Sequence, residues 1–133
     1  MSTLLLEIVT PERTVYAKEA EMVVVKGAAG ELGILPNHIP LVTPLKIAPV
    51  RAKLGGSEDR IAVHGGFMEV RKDKVVILAE AAELPEEIDV ERALRAKERA
   101  EKRLSDRQEG IDLIRAQAAL NRAINRLTVA GRL

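Results

Sequence analysis

Cysteine is absent from the 133 residues. That removes disulfides, thiolate metal ligands, cysteine nucleophiles and thiol redox switching together, and agrees with a reducing compartment. Aromatic side chains make up 2% of the chain, Tyr16 and Phe67 alone, with no tryptophan, so a stacking platform for single-stranded nucleic acid cannot be assembled. Charge of one sign is lacking too: 21 basic against 20 acidic residues leave a net +1, whereas backbone-phosphate binding calls for a basic excess. No stretch of about 18 uncharged apolar residues occurs. The start, Met1-Ser-Thr-Leu-Leu-Leu-Glu7, has neither the basic opening nor the apolar run of an export signal. The expectation is a soluble intracellular protein that neither binds nucleic acid nor inserts in a membrane.

What the chain does have is 47% apolar and 31% charged residues, enough for a core and too balanced for disorder. The length suits one domain or a domain with an appendage and excludes two large independent domains. Composition changes near Leu84-Pro85. Beyond it there is no further proline, the only glycines are Gly110 and Gly131, and Ala, Leu, Arg and Glu dominate, all strong helix formers. The expected organisation is therefore residues 1–84 and 85–133.

In the first part, apolar runs lie between turn signals: Leu4 to Val9, Glu21 to Val25, Arg60 to Val63 and Lys74 to Leu78. Their length and spacing predict strands. Alternation is loose, which predicts strands buried on both sides. Gly55-Gly56 and Gly65-Gly66 mark turns or bulges, with His64-Gly65-Gly66 read as the signal that ends a strand. In the second part, Ala93, Ala96, Ala100 and Leu104 follow Asp89, and Leu113, Ala116, Leu120, Ala123/Ile124 and Leu127 follow Asp112, each at helical spacing. Ser105 to Gly110 suits a connector. The predicted fold is α+β, an N-terminal β-sandwich followed by a C-terminal antiparallel two-helix hairpin. An alanine seam buries little area, so the hairpin should be marginal alone and movable.

Catalytic constellations are sparse. His38 and His64 have no metal-ligand spacing and read as turn or surface histidines. Gly27 to Gly33 lacks the lysine and hydroxyl of a phosphate loop, and no nucleophile motif occurs. The hairpin carries the unusual feature. From Leu113 to Leu133 there are four arginines, Arg115, Arg122, Arg126 and Arg132, and no acid. At about 100° per residue, Arg115, Arg122 and Arg126 lie within about 20° of one line, and Arg92 and Arg99 share a face of the first helix. Folding can bring both rows around a polyphosphate, which planar guanidinium forks bind bidentately. Charge spacing alone leaves open an exposed face meeting an acidic partner or solvent. A local repeat, Ile-Asp-x-x-Arg-Ala at Ile88–Ala93 and Ile111–Ala116, predicts two aspartate caps, each with its isoleucine packed on the alanine of the fourth helical position. The first copy can in addition offer an acidic acceptor to an exocyclic amine.

Gly30-Glu-Leu-Gly-Ile-Leu-Pro-Asn-His-Ile-Pro-Leu41, then Ile61-Ala-Val-His-Gly-Gly-Phe-Met-Glu-Val70, then an Ala/Arg hairpin resembles, over the whole chain, the epsilon subunit of bacterial F-type ATP synthases, with a hairpin of the nucleotide-binding kind found in bacilli. The resemblance implies a non-catalytic rotor-stalk subunit, peripheral at the cytoplasmic face of the cell membrane. Its sandwich would dock on the gamma subunit and the c-subunit ring, helping to couple proton flow to ATP synthesis. Its hairpin would lie folded with ATP, with or without Mg2+, or extend into the alpha/beta head and restrain hydrolysis. The family's adenine-side motif matches Ile88, Asp89, Arg92 and Ala93, with Glu83 just ahead, and the phosphate side matches Arg99, Arg122 and Arg126. Arg115 looks more like a helix-start residue. Glu31, on the loop before His38, and His38 match the c-ring side. Departures are His64, where a small residue is more usual, and the tail Gly131-Arg132-Leu133. The alternative is a purely structural coupling subunit that senses no nucleotide.

Overall fold

The computed structural model describes residues 2–106 and 112–133. Among the described residues, eight strands precede two helices: β1 (Leu4–Val9), β2 (Thr14–Ala20), β3 (Met22–Gly27), β4 (Gly30–Ile34), β5 (Leu41–Leu54), β6 (Ser57–Val70), β7 (Lys74–Ala79) and β8 (Ala82–Glu83). A single 3-10 turn (Pro85–Glu87) then leads into α1 (Val90–Asp106) and α2 (Leu113–Val129). The ladder runs β2-β1-β7-β6-β5-β3-β4, with β8 paired to β6. All pairs are antiparallel except β1 with β7.

The two 14-residue strands β5 and β6 serve both layers of the sandwich. The first half of β6 pairs with β8 through Ala62 and Val63, and the second half pairs with β7 from Gly66 to Val70. Between the halves, Gly65 and Gly66 hold φ of 83° and 130°, and a Cβ on Gly66 would stand 2.2 Å from the Leu78 carbonyl oxygen. Only glycine fits there. His64-Gly65-Gly66 thus does not end a strand; it is the point at which one strand passes from one layer to the other. Gly55, at φ 58°, does make the predicted turn, between β5 and β6.

Burial on both faces is seen in β6, where the hairpin lies on it, and in Val23–Val25 of β3, and not along every strand. In β1, Leu4, Leu6 and Ile8 are buried and alternate with half-exposed Leu5, Glu7 and Val9, a strand with one face inside. In β6, by contrast, Ile61, Ala62, Val63 and His64 are all buried. Ile61 and Val63 belong to the sandwich core, with Leu6, Ile8, Val23, Met68 and Ile77, whereas Ala62 packs with Ile88 and Val129. The hairpin is what covers the outer face.

Both aspartate caps form: Asp89 Oδ1 accepts from the Arg92 N–H and Asp112 Oδ1 from the Arg115 N–H, each at 3.1 Å, satisfying donors that a helix start leaves free. The isoleucine packing differs. Ile88 lies in the cluster with Ala62 and Val129, not with Ala93, and ties the start of α1 to the sheet. Ile111, and the connector from residue 107 onward, lie outside the described residues. Ala93 and Ala100 of α1 and Ala116 and Ala123 of α2 are the buried seam, and α2 further buries Asn125, Leu127 and Val129. Gly131, at φ 72°, closes α2: its N–H reaches the Thr128 carbonyl, and the Arg132 N–H that of Leu127, the paired bonds of a glycine-terminated helix.

Candidate functional site

Where α1, α2 and the end of β8 meet there is a cleft of about 450 Å³, lined by Glu83, Glu87, Asp89, Arg92, Ala93, Ala96, Arg99, Ala119, Arg122 and Arg126. The size suits a small-molecule ligand. Helical phase accounts for its charge. Arg92 and Arg99 are two turns apart on α1, and Arg122 and Arg126 one turn apart on α2, so both pairs project to the same side, while Ala93, Ala96 and Ala119 leave room between the helices.

The acids in the cleft are already committed. Arg126 Nε donates to Glu83 Oε1 at 2.5 Å. Glu87 accepts two bonds from Arg13, at 2.8 and 2.7 Å, and one from the Leu84 N–H at 2.9 Å. These bonds, the Arg13 guanidinium first, hold the Glu87 carboxyl below its ordinary range. Asp89 is occupied at Oδ1 by the helix cap. Among the described residues, Arg92, Arg99 and Arg122 form no ion pair. Their guanidinium groups line the cleft together with alanine side chains, and guanidinium forks can donate to the oxygens of an anion.

Of the residues singled out from sequence, Glu83, Asp89, Arg92, Ala93, Arg99, Arg122 and Arg126 line this one cleft. Ile88 does not; it is buried in the hairpin–sheet seam. Arg115 lies apart, in a neighbouring depression with Arg103, Asp112 and Arg122. Glu31 is on strand β4 and not in a loop, and pairs with Arg51 at 3.7 Å. His38 is in the connection between β4 and β5, its Nδ1 2.7 Å from the Ile39 carbonyl oxygen. Sequence reading missed Glu87 and its Arg13 clamp, which join positions 74 apart, and the alanines 96 and 119, which carry no chemical signal beyond the helical stripe.

It missed His64 as well. His64 is 3% exposed, a buried residue and not one at a surface turn. Its Nε2 is 3.2 Å from Glu83 Oε1, and Asn125 of α2 places Nδ2 3.0 Å from the Val63 carbonyl oxygen and 3.4 Å from His64 Nδ1. Burial, with the Arg126 charge next, pulls the His64 pKa down against the opposing effect of Glu83. The available signal was Asn125, a polar residue amid the buried stripe of α2.

The family model for the beta-sandwich domain of the ATP synthase delta/epsilon chain matches residues 3–85, and that for its long alpha-helix domain matches residues 86–131. The ATP synthase epsilon chain of Halalkalibacterium halodurans is 61% identical over 133 residues, covering 99% of this chain and all of the relative. That of Bacillus cytotoxicus is 58% identical over 130 residues, 98% of each. A chain from the mitochondrial ATP synthase of Euglena gracilis, solved with its F1 and c-ring parts, shares the fold at a TM-score of 0.79 and 23% identity, over 98% of this chain and 82% of that one. With sandwich and hairpin both matched in order, the chain belongs to the ATP synthase epsilon-chain family.

Proposed function

We propose that the chain is a non-catalytic subunit of the central rotor stalk of a proton-translocating F-type ATP synthase, and that its hairpin is a sensor of ATP. The observation that carries the sensing role is the cleft in which Arg92, Arg99 and Arg122, without ion pairs among the described residues, converge beside Asp89 and the Glu83–Arg126 pair. The guanidinium groups suit the phosphates, and the Asp89 carboxylate oxygen that the helix cap does not use suits the amine of a purine. Because both helices and the end of β8 build the cleft, a ligand there favours the docked hairpin over any separated form, by as much as its affinity for the two differs. Once released, α2, which carries three arginines and no acid, suits an acidic surface of the alpha/beta head, where it would restrain hydrolysis.

On the sandwich, Phe67 and Leu78 are register partners and with Val42 are more than half exposed, an apolar strip suited to the gamma subunit. Glu31 and His38 belong to the side assigned to the c ring. Among the described residues no helix is long and apolar enough to cross a membrane; the place proposed is peripheral, at the cytoplasmic face of the bacterial cell membrane.

The test is calorimetric titration of the isolated chain with ATP, with and without Mg2+. One-to-one binding that is lost in Arg122→Ala/Arg126→Ala, with the sandwich still folded, supports the reading; equal affinity in that variant overturns it. A purely structural coupling subunit is the second reading. The Glu83–Arg126 pair favours it, since that contact holds α2 to the sheet without a ligand, and it predicts no heat of binding.

A further inference from the structure

The seam between hairpin and sandwich contains a relay that the nucleotide cleft does not explain. It begins at the Val63 carbonyl on β6, to which Asn125 Nδ2 of α2 donates at 3.0 Å. That bond fixes the amide, so the same –NH2 group faces His64 Nδ1 at 3.4 Å, while Asn125 Oδ1 stays buried without a partner among the described residues. A ring nitrogen that meets a donor must be an acceptor. The ring is then neutral with its hydrogen on Nε2, where it donates to Glu83 Oε1 at 3.2 Å. Glu83 in turn takes Arg126 Nε of α2 and lines the cleft. One imidazole thus sits between two of the polar contacts that hold α2 to the sheet.

We propose that His64 is a proton-operated positioning residue: neutral, it receives Asn125 and orients Glu83 so that the hairpin stays docked, and on taking a proton at Nδ1 it releases the hairpin from the sandwich. The protonated ring would present N–H to N–H at Asn125. The amide cannot turn to offer Oδ1 without losing the Val63 carbonyl and facing that oxygen with its own. Of the charges at the ring, Arg126 and Arg122 from α2 oppose protonation, and Glu83, already shared with Arg126, favours it. Lys26 from β3, Lys46 and Arg51 from β5 and Arg60 from β6, with the acids Glu31 and Glu80, line the adjoining groove. Burial and the Arg126 charge lower the pKa of the docked ring. A hairpin that has lifted away leaves His64 exposed, with an ordinary pKa of about 6.5.

The sign follows from linkage. Docking is fully supported above that ordinary value and weakens as pH falls below it, by up to tenfold per unit, until the docked ring itself takes a proton. Between pH 7.5 and 5.5 the docking equilibrium should fall by up to about tenfold. The inference deepens the regulatory reading but needs only the docked hairpin, so it is tested on the full chain without nucleotide; its failure would leave ATP binding untouched, and a failed ATP titration would leave it standing.

Two measurements decide it. Imidazole resonances of the two histidines give the protonation state of His64 directly. Amide-exchange protection of α2, corrected for intrinsic exchange rates, gives docking. Expected are a His64 that protonates in the docked chain at lower pH than a free imidazole does, an α2 protection lower at pH 5.5 than at 7.5 by up to about tenfold, and a flat profile in His64→Gln, whose amide retains a donor for Glu83. A His38→Gln control should keep the wild-type profile. A His64 that is protonated at pH 5.5 with α2 protection unchanged would overturn the proposal, as would a His64→Gln chain whose α2 protection still falls tenfold.

Discussion

Asn125 is the polar residue that registers α2 on the sandwich. The apolar contact there is small, Ala62 with Ile88 and Val129, and can slide; a buried amide that must meet the Val63 carbonyl at 3.0 Å has one partner and one place. Replacing Asn125 by Ala should therefore loosen the hairpin by about 1–3 kcal/mol, the penalty for stranding a buried carbonyl without its donor. It should be seen as faster amide exchange in α2 with an unchanged urea midpoint for the sandwich. In the 3-10 turn ahead of α1, Glu87 gives the acid side of the pH response. Its pKa is lowered when folded by Arg13 and the Leu84 N–H, so its contribution is present above the ordinary carboxylate value of about 4.5 and is lost as pH falls through the folded one. Glu87→Gln should flatten the acid limb of the thermal-stability profile below pH 5; an unaltered limb would show that the Arg13 clamp is too solvent-screened to matter.

Elements differ in how much of themselves they show in sequence, and the reason is where their stabilising partners come from. The helices α1 and α2 are read from their own residues: an aspartate cap, a periodic stripe, and for α2 a closing Gly131. The strands β1 and β7 are equally plain. The edge strands β2 and β4 are not: Lys18 and Glu19 break the apolar run of one, and Gly30 and Gly33 thin the other. Strand β5 is hidden by Pro44 and Pro49, which argue against a central strand. Yet Pro49 falls where β5 has no β3 partner, between the pairs at Arg51 and Leu45, so no ladder donor is missed there. The cleft was legible for a similar reason, because helical phase alone places Arg92 with Arg99 and Arg122 with Arg126; the seat of Ile88 was not, because Ala62 and Val129 define it. The two caps now separate structure from ligand. Asp112→Ala should cost α2 about 1 kcal/mol and leave ATP affinity nearly unchanged. Asp89→Ala, with a cap of the same kind but inside the cleft, should lose both. Equal effects of the two substitutions on an ATP titration would mean that affinity follows helix stability alone and that Asp89 does not touch the nucleotide.

Across the whole molecule, the hairpin and the sandwich share one seam but differ in what holds them. The sandwich buries Leu6, Ile8, Ile61, Met68 and Ile77 completely, each worth roughly 1.5–3 kcal/mol, whereas α1 buries only Ala93 and Ala100. Ligand energy should therefore appear in the hairpin and not in the sandwich. A nucleotide that binds only the docked form adds about 2.7 kcal/mol at a concentration of 100 times its Kd, which corresponds to roughly 100-fold greater protection of the α1 and α2 amides, with core amides such as those of Ile61 and Ile77 unchanged. Salt should reverse the gain. Raising ionic strength from 0.1 M to 1 M shortens the screening length from about 10 Å to 3 Å, and the cleft attracts phosphate through Arg92, Arg99 and Arg122 at its partly open walls, so ATP affinity and the added protection should fall together. A uniform rise in protection over both parts would mean that hairpin and sandwich open as one unit, and that the contact of Ala62 with Ile88 and Val129 is not where the molecule yields.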